Sequence, residues 1–278
     1  MALLVSAAAC SATAHVDAAK PAVPSVTAPS PTPSPSHRLA PRRSVRPSPT
    51  PVRTTIPPQP RAAGLTVVLD AGHDGGNGAH PDEINRQVPA GNGATKACDT
   101  VGASTNAGYP ESAFTFDVAG RVAAILTSRG VRVILTRVTN VGVGPCVDQR
   151  AAIGNAAHAD AVVSIHADGG PSGGQGFHVI WPAPSDRNGG IVEPSHRLAL
   201  VLRDRFRTVT GEPTATYTAS DGLAQRSDLA GLNLSVVPKV FIECANMRNP
   251  ADAGRVTDPA WRQQAAEGIA DGLLAYLA

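Results

Sequence analysis

Apolar and polar positions alternate between two periods over residues 64–278. Leu65-Thr66-Val67-Val68-Leu69 is a short β-branched run and predicts a first strand. Phe114, Val118, Val122 and Ile125 then recur at helical spacing, and Gly130 follows as a stop signal. Val131–Thr136 predicts a second strand, Asp148–Ala157 a helix weakened by Gly154, Ala161–His166 a third strand and Gly176–Trp181 a fourth. Ser195–Thr210 reads as a helix closed by Gly211, and Val240–Cys244 as a fifth strand. A last helix has Asp258 as N-cap, Pro259 in its first turn, and Trp261, Ala265, Ile269 and Leu273 on one face. Strands alternating with helices predict an α/β fold around a largely parallel sheet. In such sheets ligand sites gather at the carboxyl ends of the strands. The stretch Asp70–Pro110 breaks the rhythm, being rich in Gly, Asn, Asp and Thr, and reads as a 41-residue loop, either functional or a plain insertion.

Composition divides the chain in three. Of its 25 prolines, 13 fall between His15 and Ala63, together with seven of the 24 Lys+Arg and one of the 22 Asp+Glu. Segment 15–63 therefore reads as an extended Pro/Arg-rich linker, disordered because it has few large apolar residues to bury. Its arginines either rest on an anionic surface such as the cell envelope or are simply solvated. Residues 64–278 keep 17 basic against 21 acidic side chains, a net −4, and read as one domain. That balance argues against nucleic acid as partner. No run of 18 apolar residues is present, so no ordinary transmembrane helix is expected.

Segment 1–14 is small and apolar and ends in Ala12-Thr13-Ala14, a signal-peptidase pattern. Its charged n-region is missing, which fits a start inside a longer signal. Cys10 after Ala7-Ala8-Ala9 offers a lipid-anchor alternative, and a featureless Ala-rich N-terminus is the bland one. Export is the reading taken, to a periplasm-like space, the cell wall or the medium. Cysteine usage agrees. Cys98 and Cys146 lie in loop-like sequence 48 residues apart and are candidates for a disulfide worth about 4 kcal/mol. Cys244 lies in an apolar run and reads as a buried free thiol.

Three polar side chains stand at predicted strand ends: His73 after the first, His166 closing the third, Glu243 closing the fifth. Glu111 opens the first long helix. Two imidazoles and a carboxylate form a common catalytic zinc shell, and a further carboxylate off the metal can act as general base. The blander alternatives are a helix-dipole carboxylate for Glu111 and a satisfied strand-end histidine for His166. Glu243, at the end of an apolar run, needs a partner, a solvent-lined cleft or a metal. His80, His158, His178 and His196 read as spare histidines; His178, inside its strand, is within reach of the cleft, but a core or surface role is the reading taken. Asp74, Asp82 and Glu83 read as solvated turn residues.

In order, Val67–His73, Glu111-Ser112, Ser164–Asp168, Arg226–Leu232 and Pro238–Glu243 resemble the zinc-dependent N-acetylmuramoyl-L-alanine amidases of the amidase-3 type, over roughly residues 65–277. Gln87-Val88-Pro89 and Asn246–Pro250 are similar to a compact, stand-alone subgroup of high-GC Gram-positive bacteria. The resemblance implies a central, mostly parallel six-stranded sheet flanked by helices. It implies Zn²⁺ held by His73, Glu111 and His166, with Glu243 as catalytic base. It implies cleavage of the amide between the muramic acid lactyl group and L-alanine, on peptidoglycan or muropeptide fragments, by a monomer. Asp168 and Asn246 are candidates for orienting ligands or substrate. Two departures stand out. Cys244-Ala245-Asn246 follows the catalytic Glu where the family usually has Gly-Phe or Gly-Asn. The helical block that covers the site in regulated members is missing between Thr136 and Ala161, which leaves 71–110 as the candidate lid. The competing readings are an amidase-like module that binds without cutting, and a zinc peptidase of other specificity.

Overall fold

The computed structural model describes residues 64–278. The signal-like segment 1–14, Cys10 and the Pro/Arg-rich segment 15–63 lie outside the described residues. The main sheet has six strands: β1 (Thr66–Ala71), β4 (Arg132–Leu135), β5 (Ala161–Asp168), β6 (His178–Pro182), β7 (Leu223–Arg226) and β8 (Lys239–Asn246). Their order is β4-β1-β5-β8-β6-β7, with the first four parallel. Strand β6 runs antiparallel to β8, and β7 parallel to β6. The α/β fold and six-stranded, mostly parallel sheet expected from the sequence are therefore present. The unforeseen main-sheet strand is β7, four residues at the sheet edge with no apolar alternation to announce it.

The strands alternate in character because successive side chains face opposite sides of a sheet. Val163, Ile165 and Ala167 of β5 and Val240, Ile242 and Cys244 of β8 enter the main core. Helices α2 (Glu111–Ser128), α4 (Val192–Thr210) and α7 (Pro259–Leu277) cover that face. In α2 the i, i+4 series Phe114, Val118, Val122, Leu126 is fully buried. Each such side chain contributes roughly 1.5–3 kcal/mol by leaving water. α4 stops where Gly211 takes a left-handed φ of 65°, and Asp258 caps α7 by accepting from the Ala260 N–H. Cys244 is a buried free thiol, as its apolar run suggested.

On the opposite face Ser164, His166 and Asp168 of β5 alternate with the core residues, as do Lys239, Phe241 and Glu243 of β8. Helix α3 (Val147–Ala156) and the short α5 (Ala230–Asn233) cover only part of this face. The remainder is an open groove.

The 70–110 stretch is not the structureless loop its composition suggested. It contains a short helix α1 (Pro81–Ile84) and an antiparallel hairpin of β2 (Gln87–Gly91) and β3 (Ala94–Ala97). Asp74, read as solvated, is buried and accepts from the Gly75 N–H, while Asp82 and Glu83 are exposed in the first turn of α1. A disulfide joins Cys98 to Cys146, tying the hairpin to the start of α3. Reduction is expected to destabilise the domain by about 4 kcal/mol, the loop-closure entropy restored to the unfolded chain. Thermal melts with and without a strong reductant measure this, and an unchanged midpoint would contradict it.

Candidate active site

The groove ends at the carboxyl edge of β1 and β5. His73 lies just past β1, with a left-handed φ of 58° unusual for a residue bearing a Cβ. His166 comes from β5 itself. Glu111 is the first residue of α2, brought over the sheet edge by buried Arg137. That guanidinium donates to the carbonyls of Ala71, at 3.0 Å, and Ser112, at 2.9 Å, and so fastens the end of β1 to the start of α2. One ligand atom from each of His73, Glu111 and His166 lies within 4.8 Å of the others.

The three side chains are oriented from behind. His73 Nδ1 faces the Thr100 carbonyl at 3.0 Å and Asp99 Oδ1 at 3.3 Å, which frees Nε2 for the centre. His166 Nδ1 faces Glu111 Oε1 at 2.9 Å, while its Nε2 lies 3.5 Å from Ser164 Oγ. Ser164 in turn donates to Asp70 Oδ2 at 2.7 Å, so its oxygen is left to accept from the imidazole. Glu111 is anchored by two backbone donors, Ala167 N–H to Oε1 and Ala103 N–H to Oε2. Such outer partners fix imidazole tautomer and ring orientation at metal sites.

Asp70 joins these arms. Fully buried at the end of β1, it accepts from Thr136 and Arg150 on one oxygen and from Ser164 and Lys239 on the other. Arg150 passes on to Asp99 at 3.0 Å, and Asp99 to His73. Burial opposes ionisation of Asp70, but Lys239 and Arg150 outweigh it and hold the carboxyl far below its usual range.

Two carboxyls in the site are pushed apart. Burial alone would raise Glu111, yet His73 and His166 hold it well below the carboxylate range. Glu243 is raised well above that range by burial, by Glu111 and by Asp168. It sits in direct register with His166 on the neighbouring strand, and its buried Oε2 has no hydrogen-bond partner among the described residues. Divergent environments of this kind mark different roles for paired acids. The surroundings keep Glu111 an anion and favour the protonated form of Glu243. His73 is raised to about 10 because Glu111 and Asp99 outweigh its burial. The pocket therefore favours positive charge between the imidazoles. The N, N, O donor set could hold a divalent metal ion.

Asp168 lines the groove with its carboxylate held by the Tyr217 hydroxyl at 2.9 Å. Asn246 does not orient the ligand triad. Its amide donates to the carbonyls of Pro171 and Gly174, and its oxygen accepts from Arg248 N–H, so it fastens the 169–176 loop. Among the spare histidines, His178 lies in register with Glu243 on the other flank of β8 and is buried, which lowers it to about 4. His196 stacks on Trp181.

Sequence reasoning missed Asp70, Asp99, Arg150 and Gly102 as parts of this site. Gly102 has φ +82°, and a Cβ there would lie 2.7 Å from His73 Cδ2 and 2.8 Å from Glu111 Oε2. Similarly, a Cβ on Gly72 would lie 2.2 Å from His166 Cε1. Gly102→Ala is expected to weaken metal binding by about 10–100-fold, the usual scale for disturbing a ligand's surroundings. Competition with a chelating indicator measures it, and wild-type affinity in a folded variant would contradict the packing argument.

Comparison with known proteins identifies the family. Residues 67–275 match the family model described as N-acetylmuramoyl-L-alanine amidase. The N-acetylmuramoyl-L-alanine amidase Rv3717 of Mycobacterium tuberculosis is 45% identical over 216 residues, 78% of this chain and 88% of the relative. The crystal structure of the amidase Ami1 from Mycobacterium smegmatis is 46% identical with TM-score 0.74, covering 78% of this chain and 98% of that one. Ami1 of Mycobacterium abscessus, in its apo form, gives 46% and 0.74, covering 78% and 100%. The amidase AmiC2 of Nostoc punctiforme is more distant, 26% identical with TM-score 0.59, covering 77% and 98%. The chain, with its paired imidazoles and divergent carboxyls at the sheet edge, belongs to the N-acetylmuramoyl-L-alanine amidase family.

Proposed function

We propose that this protein is a Zn²⁺-dependent N-acetylmuramoyl-L-alanine amidase that cleaves the amide between the muramic acid lactyl carbonyl and L-alanine of the stem peptide. The observation that carries the reading is the unpartnered Glu243 carboxylate set in register with His166, beside an imidazole pair that shares one anchored carboxylate. His73, Glu111 and His166 would hold the ion. When bound, it supplies Lewis acidity toward the carbonyl oxygen and lowers the pKa of water toward 7. Glu243 accepts the proton of the attacking water as the new C–O bond forms. It returns that proton to the alanine nitrogen as the C–N bond breaks, so the products are a free lactyl acid and a free peptide amine. The groove of about 370 Å³ positions the scissile amide against Glu243 and excludes part of the bulk water.

The setting fits the same reading. Segment 1–14 would direct export, segment 15–63 would act as a linker, and residues 64–278 would work as a monomeric catalytic domain on peptidoglycan or its fragments. No helix among the described residues is long and apolar enough to cross a membrane. The test is mass spectrometry of muramyl dipeptide after incubation with the purified protein. Release of L-Ala-D-isoglutamine, abolished by a chelator and restored by Zn²⁺, is expected. Products cut at any other bond would indicate a peptidase instead. Retention of both muramyl dipeptide and polymeric peptidoglycan intact would indicate a binding module.

A further inference from the structure

The groove that holds the ligand triad is lined as well by Phe241, Gly231 and three Lys or Arg side chains. The charges lining it are unevenly committed. Arg150 spends every nitrogen on Asp70, Asp99 and the carbonyls of Ala71, His73 and Pro145. The other two lining cations, Lys96 and Arg226, stand together at Asp228, with Arg226 in electrostatic reach of Glu243 and Asp168. Lys96 comes from the β2–β3 hairpin on one wall, and Arg226 from the last position of β7 on the other. Lys96 Nζ reaches across to the Asp228 carbonyl at 3.3 Å, its one hydrogen bond among the described residues. Arg226 is pre-aimed by Asp228 through Nε at 2.8 Å and Nη2 at 2.5 Å, and Nη1 has no acceptor among the described residues. Two cations and one carboxylate leave this cluster with a net positive charge.

We propose that Lys96 and Arg226 form a carboxylate-reading subsite that selects stem peptides by the free carboxylates beyond L-alanine. The inference rests on the amidase reading, since it takes the departing peptide to lie along the groove. L-Alanine is small and apolar, and the next residue of the stem, a glutamate, carries the first acidic groups. A carboxylate arriving there can take Arg226 Nη1 and the remaining donors of Lys96 without breaking the Arg226–Asp228 pair. Charge-assisted bonds of this type are the stronger hydrogen bonds, and a guanidinium matches carboxylate geometry. Arg226 is partly exposed, so the effect is discounted for solvent screening.

The test is a series of muramyl dipeptides bearing two, one or no free carboxylates on the second residue, the others amidated. KM for the wild-type protein is expected to rise about 10-fold across the series, with kcat changing much less. The Lys96→Gln/Arg226→Gln double variant, checked for an unchanged melting temperature, is expected to flatten the series to within about twofold. The same charge dependence in the double variant, or indifference of the wild type to the series, would overturn the proposal. Calorimetric binding of the product peptides L-Ala-D-Glu and its diamide reads the same contacts without catalysis. Preference for the charged product without cleavage of any substrate would support the subsite and sink the amidase reading. Cleavage without preference would do the reverse.

Discussion

Glu243→Gln is expected to lower turnover by about 10²–10⁴-fold while a bound metal stays in place. The substitution keeps shape and volume but removes the carboxyl proposed above as the proton acceptor. Glu111 cannot replace it, because both its oxygens face imidazoles and backbone donors and its environment keeps it an anion. Asp168 is engaged by Tyr217. The fold should tolerate the change, since Glu243 Oε2 has no hydrogen bond to lose among the described residues. Metal content measured by atomic absorption should match the wild type, and kcat should fall with little change in KM. A variant with normal metal content and normal turnover would remove Glu243 from the mechanism. Loss of metal together with activity would instead make Glu243 a ligand.

How much of this was legible in the sequence depends on whether a residue announces itself through its neighbours. His166 and Glu243 close apolar runs, where a polar side chain needs a reason, and the structure sets those runs on adjacent parallel strands. Glu111 stands at a readable helix start. The Cys98–Cys146 pairing followed from two cysteines in loop-like sequence, and the structure contains it. Strand β7 was missed because Leu223–Arg226 has too few residues for a period and gains its pairing from β6. The fold inside 70–110 was hidden by composition. Its hairpin contains Pro89 and Gly91, and it is held by tertiary partners such as the disulfide and the buried Asn77, which donates to the Thr100 carbonyl. Asp70 lies inside the Val67–His73 motif without a signal of its own. A lone Asp at the end of a strand has no local signature of what it will touch, and its partners come from residues 136, 150, 164 and 239.

Those partners make Asp70→Asn the second large effect expected. Removing one member of a buried ion pair leaves an uncompensated charge and typically costs about 3–5 kcal/mol. Arg150 would retain Asp99, but Lys239 is fully buried, and among the described residues its Nζ has only Asp70 at 3.2 Å and the face of Phe241. The acid limb should change as well. A carboxyl held far below its unfolded value adds stability that is present above about pH 4 and is lost as pH falls toward the folded value. The variant lacks that contribution, so its stability should fall less steeply with acid than that of the wild type. Metal affinity should drop by about 10–100-fold at the same time, since Ser164–His166 and Arg150–Asp99–His73 both depend on this carboxylate. Adding Lys239→Met separates the two consequences. It removes the stranded charge and is expected to restore most of the lost stability, because a neutral buried replacement is often no worse than the ion pair. It cannot rebuild either hydrogen-bonded arm, so the metal affinity should stay low. Urea unfolding and chelator competition on the two single variants and the double variant measure both quantities. Recovery of stability and metal affinity together would mean that Asp70 acts only by neutralising Lys239, and that the imidazoles are oriented without it.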